Sequence, residues 1–354
     1  MKVLPKSRQA LVGIQFARAI AAIMVVLYHA GRMLPQYVGD VAFSRYFNVG
    51  YAGVDFFFVL SGFVIFYVHA ADINRPSRLG HYAFRRITRI YPVYWIAFAL
   101  ALAILIAKND DGLSLSHVVS SFLLLPERVF PVLGVSWTLS HELVFYAAFA
   151  MLIVSRTIGQ ILVVAWSLLV IAGLFFPHES VVLKFLESSH HIEFAMGAAA
   201  AYLSKMYPVR IAPLLTLFGL VAFFVLAFLE TEFLKPNVDR DRLLYGSVSA
   251  WIIYALAVSE QTNKLSFPSW TSFLGASSYS LYLFHIFLLG WFGKGVSLLA
   301  APNAAPNVIF FTIVAGVIGG GCLIYYFIER PLMKMISEMR VFSPESPGVA
   351  KNSP

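Results

Sequence analysis

Ten long stretches of almost uncharged, apolar sequence recur along this chain. They lie at about residues 11–33, 49–69, 91–107, 137–155, 158–176, 190–204, 211–229, 243–258, 271–292 and 306–328. A helix rises ~1.5 Å per residue, so about 20 such residues cross a hydrocarbon layer ~30 Å thick. The pattern predicts an all-α, polytopic transmembrane helix bundle of about ten spans. Composition agrees, because 12% of residues are charged where a soluble domain has about a quarter. The 16% aromatic content suits surfaces that meet lipid and the membrane interface.

Residues 1–340 read as one transmembrane domain, and the Pro/Ser-rich residues 341–354 as a disordered tail. The longest polar connection, about 108–136, is too short for an independent core. The apolar run after Lys2, Lys6 and Arg8 is long and contains Arg18 and His29. It reads as a retained first span rather than a cleaved leader. Placing the N-terminus in the cytoplasm puts 16 Lys and Arg on that side and nine on the other, with Arg18 inside the first span. That asymmetry predicts both termini in the cytoplasm. It also explains the +8 charge without nucleic acid as a partner. The one cysteine, Cys322, excludes an internal disulfide.

Ionisable side chains are costly inside a bilayer and commonly face a polar cavity or one another. Arg18 and His29 are eleven residues apart in the first span. Eleven steps of ~100° bring both to one helix face, ~16 Å apart along the axis. Taken singly, Arg18 reads equally as a snorkelling anchor and His29 as a packed histidine; together they suggest one polar channel. Asp55, near the start of the second span, falls at a depth similar to His29. It either orients an imidazole or caps backbone donors. Gly50, Gly53 and Gly62 permit close helix approach. Arg85, Arg86 and Arg89 precede the third span. Their guanidinium forks suit phosphate, although topology alone accounts for some arginines there.

The stretch Ser136-Trp-Thr-Leu-Ser-His-Glu142 opens the fourth span and carries Trp137, His141 and Glu142 to the outer mouth. Trp137 also reads as an interfacial anchor. His191, Glu193 and His285 are further polar residues in apolar spans, with a structural role as the simpler reading. There is no Gly-rich phosphate loop ending in Gly-Lys-Ser/Thr, no His-Glu-x-x-His and no Gly-x-Ser-x-Gly. Gly319-Gly-Gly321 reads as a helix-packing surface, and no metal site is expected.

The ordered set Arg18-Ala-Ile-Ala-Ala-Ile-Met-Val-Val-Leu-Tyr-His29, Gly53-Val-Asp-Phe-Phe-Phe-Val-Leu-Ser-Gly62, Arg85-Arg-Ile-Thr-Arg-Ile-Tyr-Pro92, Trp137-Thr-Leu-Ser-His-Glu142, Ser278-Tyr-Ser-Leu-Tyr-Leu-Phe-His285 and Glu329-Arg-Pro331 resembles acyltransferase family 3. These are bacterial membrane O-acyltransferases, and Gln15-Phe-Ala-Arg18 is most similar to the exopolysaccharide-production, ExoZ-like, branch. The resemblance covers about residues 11–335. It implies that His29 is essential for transfer and that Arg18, Arg86 and Arg89 bind acyl-CoA, with acetyl-CoA the expected donor. Asp55 and Glu142 match further acidic positions of the family. The extra C-terminal hydrolase-like domain of some members is not expected here.

The resulting expectation is an enzyme of the bacterial inner membrane that takes acyl from cytoplasmic acyl-CoA. The acceptor is a hydroxyl of a free or lipid-linked saccharide. His29 acts as general base or carries the acyl group, Asp55 orients it, and Glu142, Trp137 and His285 lie toward the acceptor. The rival is a transporter of an acidic solute or acyl donor, against which the lack of visible repeats argues.

Overall fold

The structure is a computed structural model that describes residues 11–109, 112–127, 129–176, 178–233, 238–299 and 305–339. Residues 1–10 and the expected disordered tail, 341–354, lie outside the described residues. In chain order the α-helices are α1 (Val12–Met33), α2 (Pro35–Val38), α3 (Ala52–His69), α4 (Leu79–Ala107), α5 (Leu115–Leu123), α6 (Trp137–Val154) and α7 (Arg156–Phe175). They continue with α8 (Val181–Leu186), α9 (His190–Met206), α10 (Ala212–Glu232), α11 (Val238–Gln261), α12 (Ser269–Leu299), α13 (Pro306–Ile324) and α14 (Arg330–Glu338). A π-helical turn, Tyr325–Glu329, joins the last two. No strand occurs among the described residues, as expected where backbone polar groups must be satisfied within each membrane segment.

Each of the ten apolar stretches is a helix, and the bundle is a multi-pass membrane fold. Nine helical segments among the described residues are long and apolar enough to cross a membrane. The exception to the expected ten is α9, with 17 residues. That is about 25 Å of helix, slightly less than the hydrocarbon thickness. Large apolar side chains on the outer faces, such as Val164, Phe224 and Phe327, are well exposed to the surroundings, which suits lipid.

Two apolar clusters make the core. One gathers α1, α4, α6, α12 and α13 around Val26, Val93, Tyr94 and Leu283. The other gathers α1, α3, α9, α10 and α11 around Phe63, Tyr245 and Ile253. Small residues on α1, among them Ala19, Ala21, Ala22 and Ala30, are buried on several of its sides, so α1 serves both clusters.

Helix α3 approaches its neighbours backbone to backbone. A Cβ at Gly53 would meet the Ala21 carbonyl of α1, one at Gly62 the Phe194 carbonyl of α9, and one at Gly197 of α9 the Val59 carbonyl of α3. Of the glycine run on α13, Gly320 packs on the Leu288 side chain and Gly321 on Leu281 of α12, while Gly319 faces open space. The α1 N-terminus is capped from a distance. Glu260 at the end of α11 accepts from the backbone N–H groups of Val12 and Gly13, at 2.5 and 2.9 Å. This satisfies two donors that have no partner within their own helix.

Candidate functional site: two cavities on one wall

Two cavities lie between these clusters. The first, of about 520 Å³, is lined by Arg18, Arg85, Arg86 and Arg89, with Ser61, Glu142 and Tyr279. The structure therefore joins Arg18 of α1 to the arginines of α4. Arg89 Nη1 donates to Glu329 Oε1 at 2.6 Å. The other oxygen of Glu329 accepts from Ser280 Oγ at 2.6 Å. The carboxylate is 1% exposed and is delivered by the π-helical turn, a distortion that recurs at functional positions. Arg86 Nη2 lies 3.1 Å from His69 Nε2. Arginine has no acceptor, so His69 accepts there and donates from Nδ1 to Asp72 Oδ2 at 2.8 Å. Four guanidinium groups thus face one cavity, partly offset by Glu142 in its lining and by Glu329 behind Arg89.

The second cavity, of about 590 Å³, is lined by His29, Asp55, Trp137, His190, Glu230 and Arg242 among others. His29 is half-buried, and its ring centroid lies 5.0 Å from that of the fully buried His285. His285 Nδ1 donates to the Tyr282 carbonyl at 2.7 Å. That assigns its ring proton and leaves Nε2 as a buried acceptor with no partner. Val54 and Tyr282 line both cavities, and the Tyr282 hydroxyl is held by Thr138 Oγ1 at 2.8 Å and the Val135 carbonyl at 2.9 Å. These two residues form the wall between an arginine-lined chamber and a histidine-lined one.

Three of the expected placements change. Asp55 shares the second cavity with His29, but its nearest basic partner is His190, at 3.6 Å. His190 Nδ1 also meets Glu193 Oε2 at 2.9 Å. The cause is the glycine contact of α3 with α9, which presses Asp55 against the first turn of α9. Glu142 lines the arginine cavity and not the histidine cavity that Trp137 lines. It accepts from Ser61 Oγ at 3.1 Å and from the Tyr146 hydroxyl. Five residues separate it from Trp137, which moves it ~7.5 Å deeper and ~140° around the helix. Trp137 lines the histidine cavity as expected, and His285 backs His29 instead of entering the cavity lining.

Sequence reasoning missed His190, Glu230 and Arg242, and it met Glu329 only within the Glu329-Arg-Pro331 motif, without its partner Arg89. Glu193 carried a signal, being a carboxylate in an apolar stretch, but nothing local pointed to its partner. Asp55, His190 and Glu193 hold one donor atom each within 4.8 Å of one another, so a metal ion is sterically conceivable there. His190 Nδ1 meets Glu193, while Asp55 Oδ2, His190 Nε2 and Glu193 Oε1 are buried without a hydrogen-bond partner.

Residues 11–326 match the acyltransferase domain family. The chain belongs to acyltransferase family 3. As a member it is an acyltransferase. Among its relatives is the exopolysaccharide production protein ExoZ of Rhizobium meliloti, 28% identical over 84% of this chain and 94% of that protein. The putative peptidoglycan O-acetyltransferase YrhL of Bacillus subtilis is 25% identical over 90% of this chain. The O-acetyltransferase OatA of Staphylococcus aureus is 22% identical over 95% of it. The chain spans about half to three-fifths of the latter two, 54% and 59% of their lengths. No solved structure matches the family member described here.

Proposed function

We propose that this chain transfers an acyl group, acetyl in the first instance, from cytoplasmic acyl-CoA to a saccharide hydroxyl on the far side of the bacterial inner membrane. The product belongs to exopolysaccharide or cell-envelope polysaccharide, and both termini face the cytoplasm. The observation that carries this reading is the pair of cavities with opposite chemistry on either side of Val54 and Tyr282. Arg18, Arg86 and Arg89 offer charge and forked donors to the phosphates of CoA. The thioester passes Val54 and Tyr282 to His29, a reach in keeping with the ~16 Å between Arg18 and His29 along α1. The saccharide, free or lipid-linked, enters beside Trp137. The names of the relatives, with exopolysaccharide, peptidoglycan and O-acetyl transfer among them, support the same chemistry.

In the transfer step His29 takes the proton of the sugar hydroxyl as its oxygen attacks the thioester carbonyl. The carbon–sulfur bond breaks, and the CoA thiolate takes the proton back from the imidazolium. His285 packs beside the His29 ring, 5.0 Å between centroids, and limits the space in which it turns. Asp55, which binds His190, acts on the acceptor wall rather than on His29, and Glu142 acts in the donor chamber. The reading requires no metal.

Sidedness tests it. In oriented vesicles, labelled acetyl-CoA supplied on the face of the arginine cavity should acetylate a saccharide confined to the opposite face, with CoA released where the donor entered. Labelled acetyl-CoA that crosses intact, with no acetylated saccharide formed, refutes the proposal.

A further inference from the structure

A third opening, a groove of about 470 Å³, lies against the histidine cavity and shares Trp137, His190 and Arg242 with it. Its remaining lining comes from Glu127 before α6, from His141 on α6, and from Glu179, Lys184, Phe185 and Ser188 around α8. None of these groups takes part in the transfer step. The groove is held in place by contacts of its own. Glu127 meets His117 Nδ1 at 2.6 Å and accepts from Ser121 Oγ at 3.1 Å. The His141 ring stacks on Phe185 at 4.1 Å, and His141 is fixed by His191 at 3.0 Å, which in turn donates to the Leu186 carbonyl. Lys184 and Glu179 face each other at 3.2 Å on the open rim, 54% and 97% exposed. At the junction of groove and cavity stands His190, 2% exposed, whose Nε2 has no partner.

The chemistry of this lining narrows its occupant. Glu127, held by His117 and Ser121, accepts from hydroxyls, Trp137 offers an apolar ring face at the junction with the cavity, and the cations at Lys184 and Arg242 donate. A hydroxyl-rich chain with exposed C–H faces meets all three. Each chamber falls within the ~300–1,000 Å³ that encloses a drug-sized group, so the cavity takes about one or two sugar residues and the groove a similar number. We propose that the acceptor is an extended saccharide chain. Its reacting sugar lies beside His29 and its neighbouring sugars lie in the groove along Glu127, Lys184 and Glu179. Trp137 and Arg242 contact both portions. This assignment rests on the saccharide acyltransferase reading and adds the requirement for length.

The test uses the full chain in proteoliposomes, labelled acetyl-CoA, and size-fractionated oligosaccharides from partial hydrolysis of the producing cell's exopolysaccharide. The expected result is a rise of about ten-fold or more in kcat/KM from mono- or disaccharide to longer acceptors, the worth of one or two net hydrogen bonds. Lys184→Ala and Glu179→Ala lie on the exposed rim and should not disturb folding. Both should raise KM for long acceptors by several-fold while leaving turnover of short ones unchanged. Equal kcat/KM at every length, or rim variants that weaken short and long acceptors alike, overturns the groove. Failure of the wild-type chain to acetylate any length refutes the saccharide-acceptor reading itself, so the two failures are distinguishable.

Discussion

The Arg89–Glu329 pair allows a quantitative test of how the arginine chamber is built. Glu329 is 1% exposed, accepts from Arg89 at 2.6 Å, and accepts from the buried Ser280 at 2.6 Å. Replacing Glu329 with Ala removes both acceptors. Breaking a buried ion pair by removing one partner costs about 3–5 kcal/mol. Arg89 is 30% exposed and regains water, which places the cost near the lower end, at about 3 kcal/mol. Arg89→Ala should destabilise by a similar amount, because Glu329 has less access to water than Arg89. The double variant should lose less than the sum of the two, with a coupling of about 1.5–3 kcal/mol for a charge-assisted pair. Chemical denaturation in a fixed detergent, followed by tryptophan fluorescence, reads all four corners of the cycle. A coupling within about 0.5 kcal/mol of zero means that the two sites act independently. In that case Glu329 does not hold Arg89, and the account of the chamber fails.

The other predictions concern catalysis, donor binding and packing. His29→Ala should abolish acyl transfer while the protein remains inserted and elutes as the wild type by size exclusion; wild-type turnover in that folded variant removes His29 from the mechanism. Changing Arg86 and Arg89 together to Lys keeps the charge and the topology but loses the forks, so acyl-CoA affinity should fall about ten-fold, and an unchanged titration reduces both to topological markers. Gly197→Ala puts a methyl group into the Val59 carbonyl of α3, backbone that cannot yield, and should lower the apparent melting temperature sharply. Gly319→Ala, with no atom within 4 Å of the added carbon, should leave it unchanged or raise it; equal effects of the two would contradict the close α3–α9 contact.

Much of the fold was legible because membrane insertion is a local, one-dimensional constraint. Every apolar stretch became a helix, and only α9 proved shorter than a full crossing. The gathering of Arg18 with Arg86 and Arg89, and of His29 with Asp55 in one cavity, followed from depth along helices of alternating direction. Depth also misled. It placed Asp55 level with His29 and so suggested that one orients the other, whereas Asp55 meets His190. It assigned Glu142 to the Trp137 end, although their angular offset on α6 turns Glu142 to the arginines.

The sequence by itself determined the helices, the relative heights of residues along each one, the residues too polar for an apolar span, and the family. A residue's height and face on its own helix depend only on spacing within that helix, which the sequence contains. Tertiary structure alone decided the partners. Glu329 reaches Arg89 across 240 positions, and Glu260 caps α1 across 248. The groove formed by Glu127, Lys184 and Arg242 comes from three separate parts of the chain. Such pairings depend on how helices rotate and cross as their side chains interlock. Here backbone contact at Gly62 and Gly197 sets the rotation of α3 against α9, and with it the neighbour of Asp55.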